Sequence, residues 1–196
     1  QIYTTVSAGI SLYPGDGNNV IDLIRNADAA LYRAKRQGGG ALDVYHPDMN
    51  AAAVDRLMLK SRLRKAFEKN ELRVHYQPKI DLRDGSIAGA EALVRWELTD
   101  RGLVLPSEFI PLAEESNLIL ELGEWVLDRV CRDYRHLREG AINPGRISVN
   151  LSLRQLKQRD FINRVSAICN RHGVSPDSLE LEITETTLME DPARTT

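Results

Sequence analysis

The chain has 196 residues, with 26 Lys plus Arg against 28 Asp plus Glu and a formal net charge of −2. That balance gives no support to DNA or RNA binding, which leaves a strongly basic signature, and no apolar run approaches the ~20 residues of a membrane-spanning helix. Cys131 and Cys169 lack C-x-x-C spacing, so a disulfide scaffold or zinc site is not expected and both read as buried, reduced thiols. The stretch Gln1 to Thr5 lacks the basic start and apolar centre of a signal peptide, and a cytoplasmic location is the expectation.

Residues 3–12 alternate, with Val6, Ala8, Ile10 and Leu12 against Ser7, Gly9 and Ser11, the pattern of a strand with one face on a core. Tyr13 to Gly17 is a turn by composition. A helix follows with an apolar stripe of Val20, Leu23, Ile24, Ala27, Leu31 and Ala34. Asn19 caps it, Asp22 lies in its first turn, and Arg33, Lys35 and Arg36 precede the stop at Gly38-Gly39-Gly40. Asp43-Val44-Tyr45 suits a short strand. After a break at His46-Pro47-Asp48, a basic helix is expected from about Ala51 to Lys69, with Leu57, Leu63, Ala66 and Phe67 buried and its Lys and Arg residues solvated.

Leu72 to Ile80 alternates as a strand, and Asp84-Gly85 is a hairpin signal, so the next strand runs antiparallel to it. That next strand ends in Glu91-Ala92-Leu93-Val94-Arg95-Trp96. Side chains alternate across a strand, so Glu91, Leu93 and Arg95 share one face and Ala92, Val94 and Trp96 the other. A buried carboxylate and guanidinium need partners, and the simplest pairing is with each other. Helices are expected over Pro106 to Glu115, Asn117 to Leu137 and Leu156 to His172. Between and after them, Arg146 to Leu151 and Ser178 to Glu185 repeat the strand pattern, with Ser148 and Asn150, then Glu180, Glu182 and Thr184, on the polar faces. Strands separated by helices define an α/β fold. Glu91, Asn150 and Glu182 near the C-terminal ends of three strands would make an all-oxygen cluster suited to Mg²⁺ or Mn²⁺ rather than Zn²⁺. His46, His75, His136 and His172 show no ligand spacing.

Six ordered blocks then carry a resemblance: Glu91 to Trp96, Tyr76-Gln77-Pro78, Phe109 to Glu114, Gly123 to Val126, Ser148 to Ser152, and Glu180 to Glu185. The chain resembles EAL domains, bacterial phosphodiesterases that hydrolyse cyclic di-GMP to linear pGpG. The resemblance implies the first half of a (β/α)₈ barrel with an antiparallel first strand. It implies a two-metal centre that activates water for in-line attack at phosphorus. Glu91 and Glu182 would be catalytic, Glu91, Asn150 and Glu182 would hold metal, Gln77 and Arg95 would bind substrate, and Glu185 would steady a loop. The family's paired aspartates, catalytic lysine and last metal-binding glutamate, including ligands of the second metal, would follow Thr196. The length after the linker falls well short of the about 250 residues of such a barrel. The chain is therefore expected to be an internal fragment that neither hydrolyses nor makes cyclic di-GMP alone, drawn from a homodimeric protein whose membrane tether, if it has one, lies upstream.

The first part resembles the C-terminal end of a GGDEF domain, through Val6-Ser7-Ala8-Gly9-Ile10 and Ala27 to Lys35 ending at Gly38. Gly39 and Gly40 stand where that family continues with Arg-Asn, and its signature motif would lie upstream of Gln1, so cyclase activity is not expected. Lys35 matches a phosphate-contacting position, although a cation at a helix C-terminus is equally ordinary. The expected domains are 1–45, a GGDEF remnant; 46–69, a linker helix; and 70–196, the N-terminal half of an EAL domain. The rival to hydrolysis is a degenerate EAL domain that binds cyclic di-GMP or a protein partner without turnover.

Overall fold

The computed structural model describes residues 5–36 and 40–183. The chain divides into two compact units, Gln1–Ser61 and Arg62–Thr196.

In the first unit, β1 (Ala8–Ile10) and β2 (Leu42–Val44) pair in parallel, joined through α1 (Val20–Arg36). Asn19 caps α1 as expected, its Oδ1 accepting the Asp22 N–H at 2.9 Å. The Arg33 guanidinium grips Asp43 at 2.6 and 2.9 Å and holds that carboxyl below its usual range. The expected apolar stripe of α1 is only partly correct. Val20 and Ile24 are exposed, while Asn26, Ala30 and Ala34 are buried. Two three-residue strands offer too narrow a surface to cover the whole stripe, and burial shifts to small residues that admit close approach. Asn26 fits there because its Nδ2 donates to the Asp16 carbonyl at 2.5 Å and its Oδ1 accepts from Asn50. Of the strand expected over 3–12, residues 3 and 4 lie outside the described residues; among the described residues it pairs only at Ala8–Ile10, and Val6 and Leu12 are exposed.

The helix α2 (Asp48–Ala66) starts earlier and stops earlier than its apolar periodicity predicts. Asn70 takes a left-handed φ of 51°, and the Glu71 N–H returns to the Ala66 carbonyl at 3.0 Å, closing the helix end. Leu63 and Ala66 are buried, but Leu57, expected inside, is exposed.

The second unit is a five-stranded sheet flanked by helices. Its strands are β3 (Leu72–Ile80), β4 (Ile87–Leu98), β5 (Gly102–Val104), β6 (Arg146–Leu151) and β7 (Leu179–Ile183). The order is β3-β4-β6-β7, with β5 on β4. The β3–β4 pair is antiparallel, as the Asp84-Gly85 hairpin requires, whereas β4–β6 and β6–β7 are parallel. The short β5 hairpin was not anticipated, because three residues are too few to show alternation. Its signal was the Asp100-Arg101-Gly102 turn.

The crossovers are α3 (Pro106–Glu115) and α4 (Leu118–Glu139), then α5 (Leu153–Leu156) and α6 (Phe161–His172). The helix expected over Leu156 to His172 begins only at Phe161, and the short α5 before it was not expected. Ser152 caps α5, and α6 restarts at Phe161 after Asp160, where the Arg164 guanidinium returns to the Asp160 carboxylate at 2.7 Å. The core lies between sheet and helices. Trp96 is fully buried and meets Phe109 edge-on, with ring centroids 5.8 Å apart and planes at 78°. Cys131 and Cys169 are buried and free, and burial pushes the Cys131 thiol up to about 12. Among the described residues, no helix is long and apolar enough to cross a membrane.

One polar link ties β3 to α4. The Tyr76 hydroxyl donates to Asp133 Oδ2 at 2.9 Å, and Arg129 Nε holds the same carboxylate at 2.8 Å. Burial, then the Asp133 charge, raises the Tyr76 pKa above its ordinary 10.0. A raised pKa contributes stability that is complete below the unfolded value and is lost as pH rises through the folded one. Tyr76→Phe should therefore lower stability by about 1 kcal/mol at neutral pH and flatten the alkaline loss. Chemical denaturation between neutral pH and about pH 11 compares the two slopes.

Candidate functional site

The period-two alternation of β4 sorts its side chains as the sequence predicts. Ala92, Trp96 and Leu98 are buried toward the helices, while Glu91, Leu93 and Arg95 lie half-buried on the other face. Register extends that face across the sheet: Gln77 lies opposite Glu91 on one side and Ser148 on the other, and Asn150 lies opposite Glu182. Strand packing therefore gathers Gln77, Glu91, Ser148, Asn150, Glu180 and Glu182 on one surface.

Glu91 and Arg95 do not pair with each other. Asn150 Nδ2 donates to Glu91 Oε1 at 2.7 Å, whereas the Arg95 guanidinium donates to the Val94 carbonyl at 2.9 Å. Among the described residues Arg95 has no carboxylate partner. Gln77 is exposed on the same face. Glu185 and Thr184 lie outside the described residues.

Glu182 is held by a residue that pattern reading passed over. Lys79 Nζ donates to Glu182 Oε1 at 2.6 Å and to Glu180 Oε2 at 3.3 Å, and also to Ser148 Oγ. Ser148 Oγ in turn donates to Glu180 Oε2 at 2.8 Å. The Lys79 ammonium, with Ser148 second, holds the Glu182 carboxyl below its usual range, and Ser148 and then Lys79 do the same for Glu180. Glu182, chiefly, raises the Lys79 pKa in return. The available signal was parity, since Lys79 is two residues from Gln77 and so shares its face.

This contact also reports curvature. β3 and β7 are three strand spacings apart, roughly 14 Å if the sheet were flat at ~4.8 Å per strand. A lysine and a glutamate meet over that span only if the sheet curls around its polar face, as a barrel wall does.

Behind Asn150, the chain turns into α5 at Ser152. The Ser152 N–H donates to Gln155 Oε1 at 3.0 Å, and Gln155 is buried against Gly123 of α4. A Cβ at position 123 would collide with the Gln155 amide. A cavity of about 290 Å³ opens beside this turn, lined by Leu93, Ile110, Glu114, Leu122, Asn150 and Ser152 among others.

Among the described residues no three His, Cys, Asp or Glu side chains converge as a metal cluster. The expected set differs in kind, two carboxylates and a carboxamide. The structure brings Glu91 and Asn150 into contact and places Glu182 beside Asn150 in register, turned toward Lys79. The donors are all oxygens once the Asn150 amide presents Oδ1, and such a set fits a hard divalent cation.

Comparison with known proteins agrees with this architecture. Residues 60–196 match the EAL domain, and residues 1–41 match the diguanylate cyclase, GGDEF domain. The chain belongs to the EAL domain family. It is 43% identical over 191 residues to the bifunctional diguanylate cyclase/cyclic di-GMP phosphodiesterase MucR of Pseudomonas aeruginosa, covering 97% of this chain and 28% of that protein. It is 40% identical over 191 residues to the cyclic di-GMP phosphodiesterase PdeR of Escherichia coli, covering 97% and 29%. Among solved structures, the PaMucR phosphodiesterase in complex with c-di-GMP superposes with a TM-score of 0.65 at 42% identity, over 69% of this chain and 55% of that one. The EAL enzyme Bd1971, with cAMP and cyclic-di-GMP bound, gives 0.65 at 27% identity over 89% and 46%. The chain spans less than a third of the length of these curated relatives.

Gly123→Val should destabilise the protein by about 1–3 kcal/mol through overpacking against Gln155. In thermal melts, Gln155→Ala should recover part of that loss when combined with it, since the two sites couple directly.

Proposed function

We propose that the protein is a divalent-metal-dependent phosphodiesterase that hydrolyses cyclic di-GMP to linear pGpG, with Glu91, Asn150 and Glu182 as the first wall of its site. One observation carries the reading: Glu91 is engaged by Asn150 rather than by Arg95, so the guanidinium has no carboxylate partner among the described residues. A structural pair would satisfy both charges at once. An anionic substrate explains a half-buried arginine left uncompensated.

On this reading Glu91, Glu182 and Asn150 Oδ1 hold Mg²⁺ or Mn²⁺. A metal held there would supply an activated water and neutralise charge developing at phosphorus. Arg95 grips a non-bridging pair of phosphate oxygens, a planar task for which a guanidinium is suited. Gln77, opposite Glu91 in register, offers an amide to the substrate beside that carboxylate. Glu185 has the indirect role of steadying the loop after a later strand. The matches at residues 1–41 and 60–196 support a GGDEF remnant over 1–45, a linker helix over 46–69 and an EAL part over 70–196. The names of the relatives MucR and PdeR support the substrate.

The test uses the full-length protein that contains these residues. Glu91→Ala should reduce Mg²⁺- or Mn²⁺-dependent hydrolysis of cyclic di-GMP by more than about 100-fold while the melting temperature stays near wild type. Retained turnover would remove Glu91 from the site. A wild-type protein that binds cyclic di-GMP without releasing pGpG would establish the binding-only rival. Arg95→Lys should raise KM by about 10-fold, the scale of one charge-assisted hydrogen bond.

A further inference from the structure

Lys79 reaches across three strand spacings of the sheet, and the reading of the site above gives it no role. It leaves β3, passes β4 and β6, and ends on β7. Gly89 lies directly opposite it in register and presents no side chain in its path. A Cβ there is excluded in any case, because it would strike the Arg146 carbonyl oxygen. The ammonium finds three acceptors: Glu182 Oε1, Glu180 Oε2 and the hydroxyl of Ser148, which is fully buried. Ser148 Oγ, by its own bond to Glu180 Oε2, closes the ring.

This arrangement does two things for Glu182. Its Oε1 is fixed at 2.6 Å from Nζ. One ammonium between two carboxylates leaves the cluster a net charge of −1, which remains for a third party. A strand clamp alone would need one carboxylate. Two carboxylates and a buried hydroxyl around one ammonium make a neutral holder plus a spare anion.

We propose that Lys79 is a positioning residue that fixes the Glu182 carboxylate for a divalent cation, while Glu180 and Ser148 hold its ammonium and cancel its charge. This rests on Glu182 being a metal ligand. Removal of a residue that orients a ligating carboxylate reduces metal affinity by about 10- to 100-fold. Glu180, although no ligand, should matter as well: without it, the unmatched ammonium repels the incoming cation.

The experiment titrates Mn²⁺ alone into the full-length protein, read by the electron paramagnetic resonance signal of free Mn²⁺, for wild type, Lys79→Met, Lys79→Arg, Glu180→Gln and Glu182→Gln. Lys79→Met should weaken Mn²⁺ binding about 10- to 100-fold, Lys79→Arg should restore most of it, and Glu180→Gln should weaken it about 10-fold. Unchanged or tighter binding in Lys79→Met would overturn the proposal, leaving Lys79 a clamp between strands. If Lys79→Met does not fold, Glu180→Gln decides, since equal or tighter Mn²⁺ binding there overturns the neutral holder. Wild-type affinity in Glu182→Gln would instead overturn the ligand assignment itself, a failure distinguishable from that of Lys79.

Discussion

Trp96 and Glu91 lie five residues apart on one strand, and a strand cannot send both to the same side. Trp96 is fully buried against Phe109 of α3 and donates its indole N–H to Glu71 at 3.2 Å. With the indole anchored among the helices, Glu91, Leu93 and Arg95 must face away from them. A register slip of one residue would place charges under the helices and the indole on the polar face. The desolvation of Glu91 and Arg95 makes that alternative prohibitive. The polar surface of the sheet follows from this parity.

Neighbouring strands inherit it. Backbone pairing puts Gln77 and Ser148 on either side of Glu91, and Glu182 beside Asn150. Ile147, Val149 and Leu151 are buried in alternation with the polar side chains of β6, so the helix-facing side drives the packing and the opposite side is free for chemistry. Apolar burial on one face thus positions oxygen donors on the other.

Much of the second unit was legible in the chain because its elements are long and strictly periodic. The antiparallel first pair followed from Asp84-Gly85, and Pro106–Glu115 begins and ends where its residue types suggest. The first unit was less legible. Its helix has apolar residues on more than one side, and which of them are covered depends on the narrow strand pair beside it. The break between α5 and α6 was hidden for a related reason. Gln155 of the short α5 fills the space at Gly123, a contact between positions thirty-two apart in sequence.

What the sequence determined by itself was composition by face: which residues could share a surface, given a period of two, and that this surface would carry carboxylates, amides and an arginine. What only the tertiary structure decided was the pairing within that surface. Glu91 went to Asn150 instead of Arg95, and Glu182 went to Lys79 from a strand three positions away. Local periodicity specifies direction and carries no information about distance across strands. The curl of the sheet, and the missing side chain at Gly89, set which charges meet.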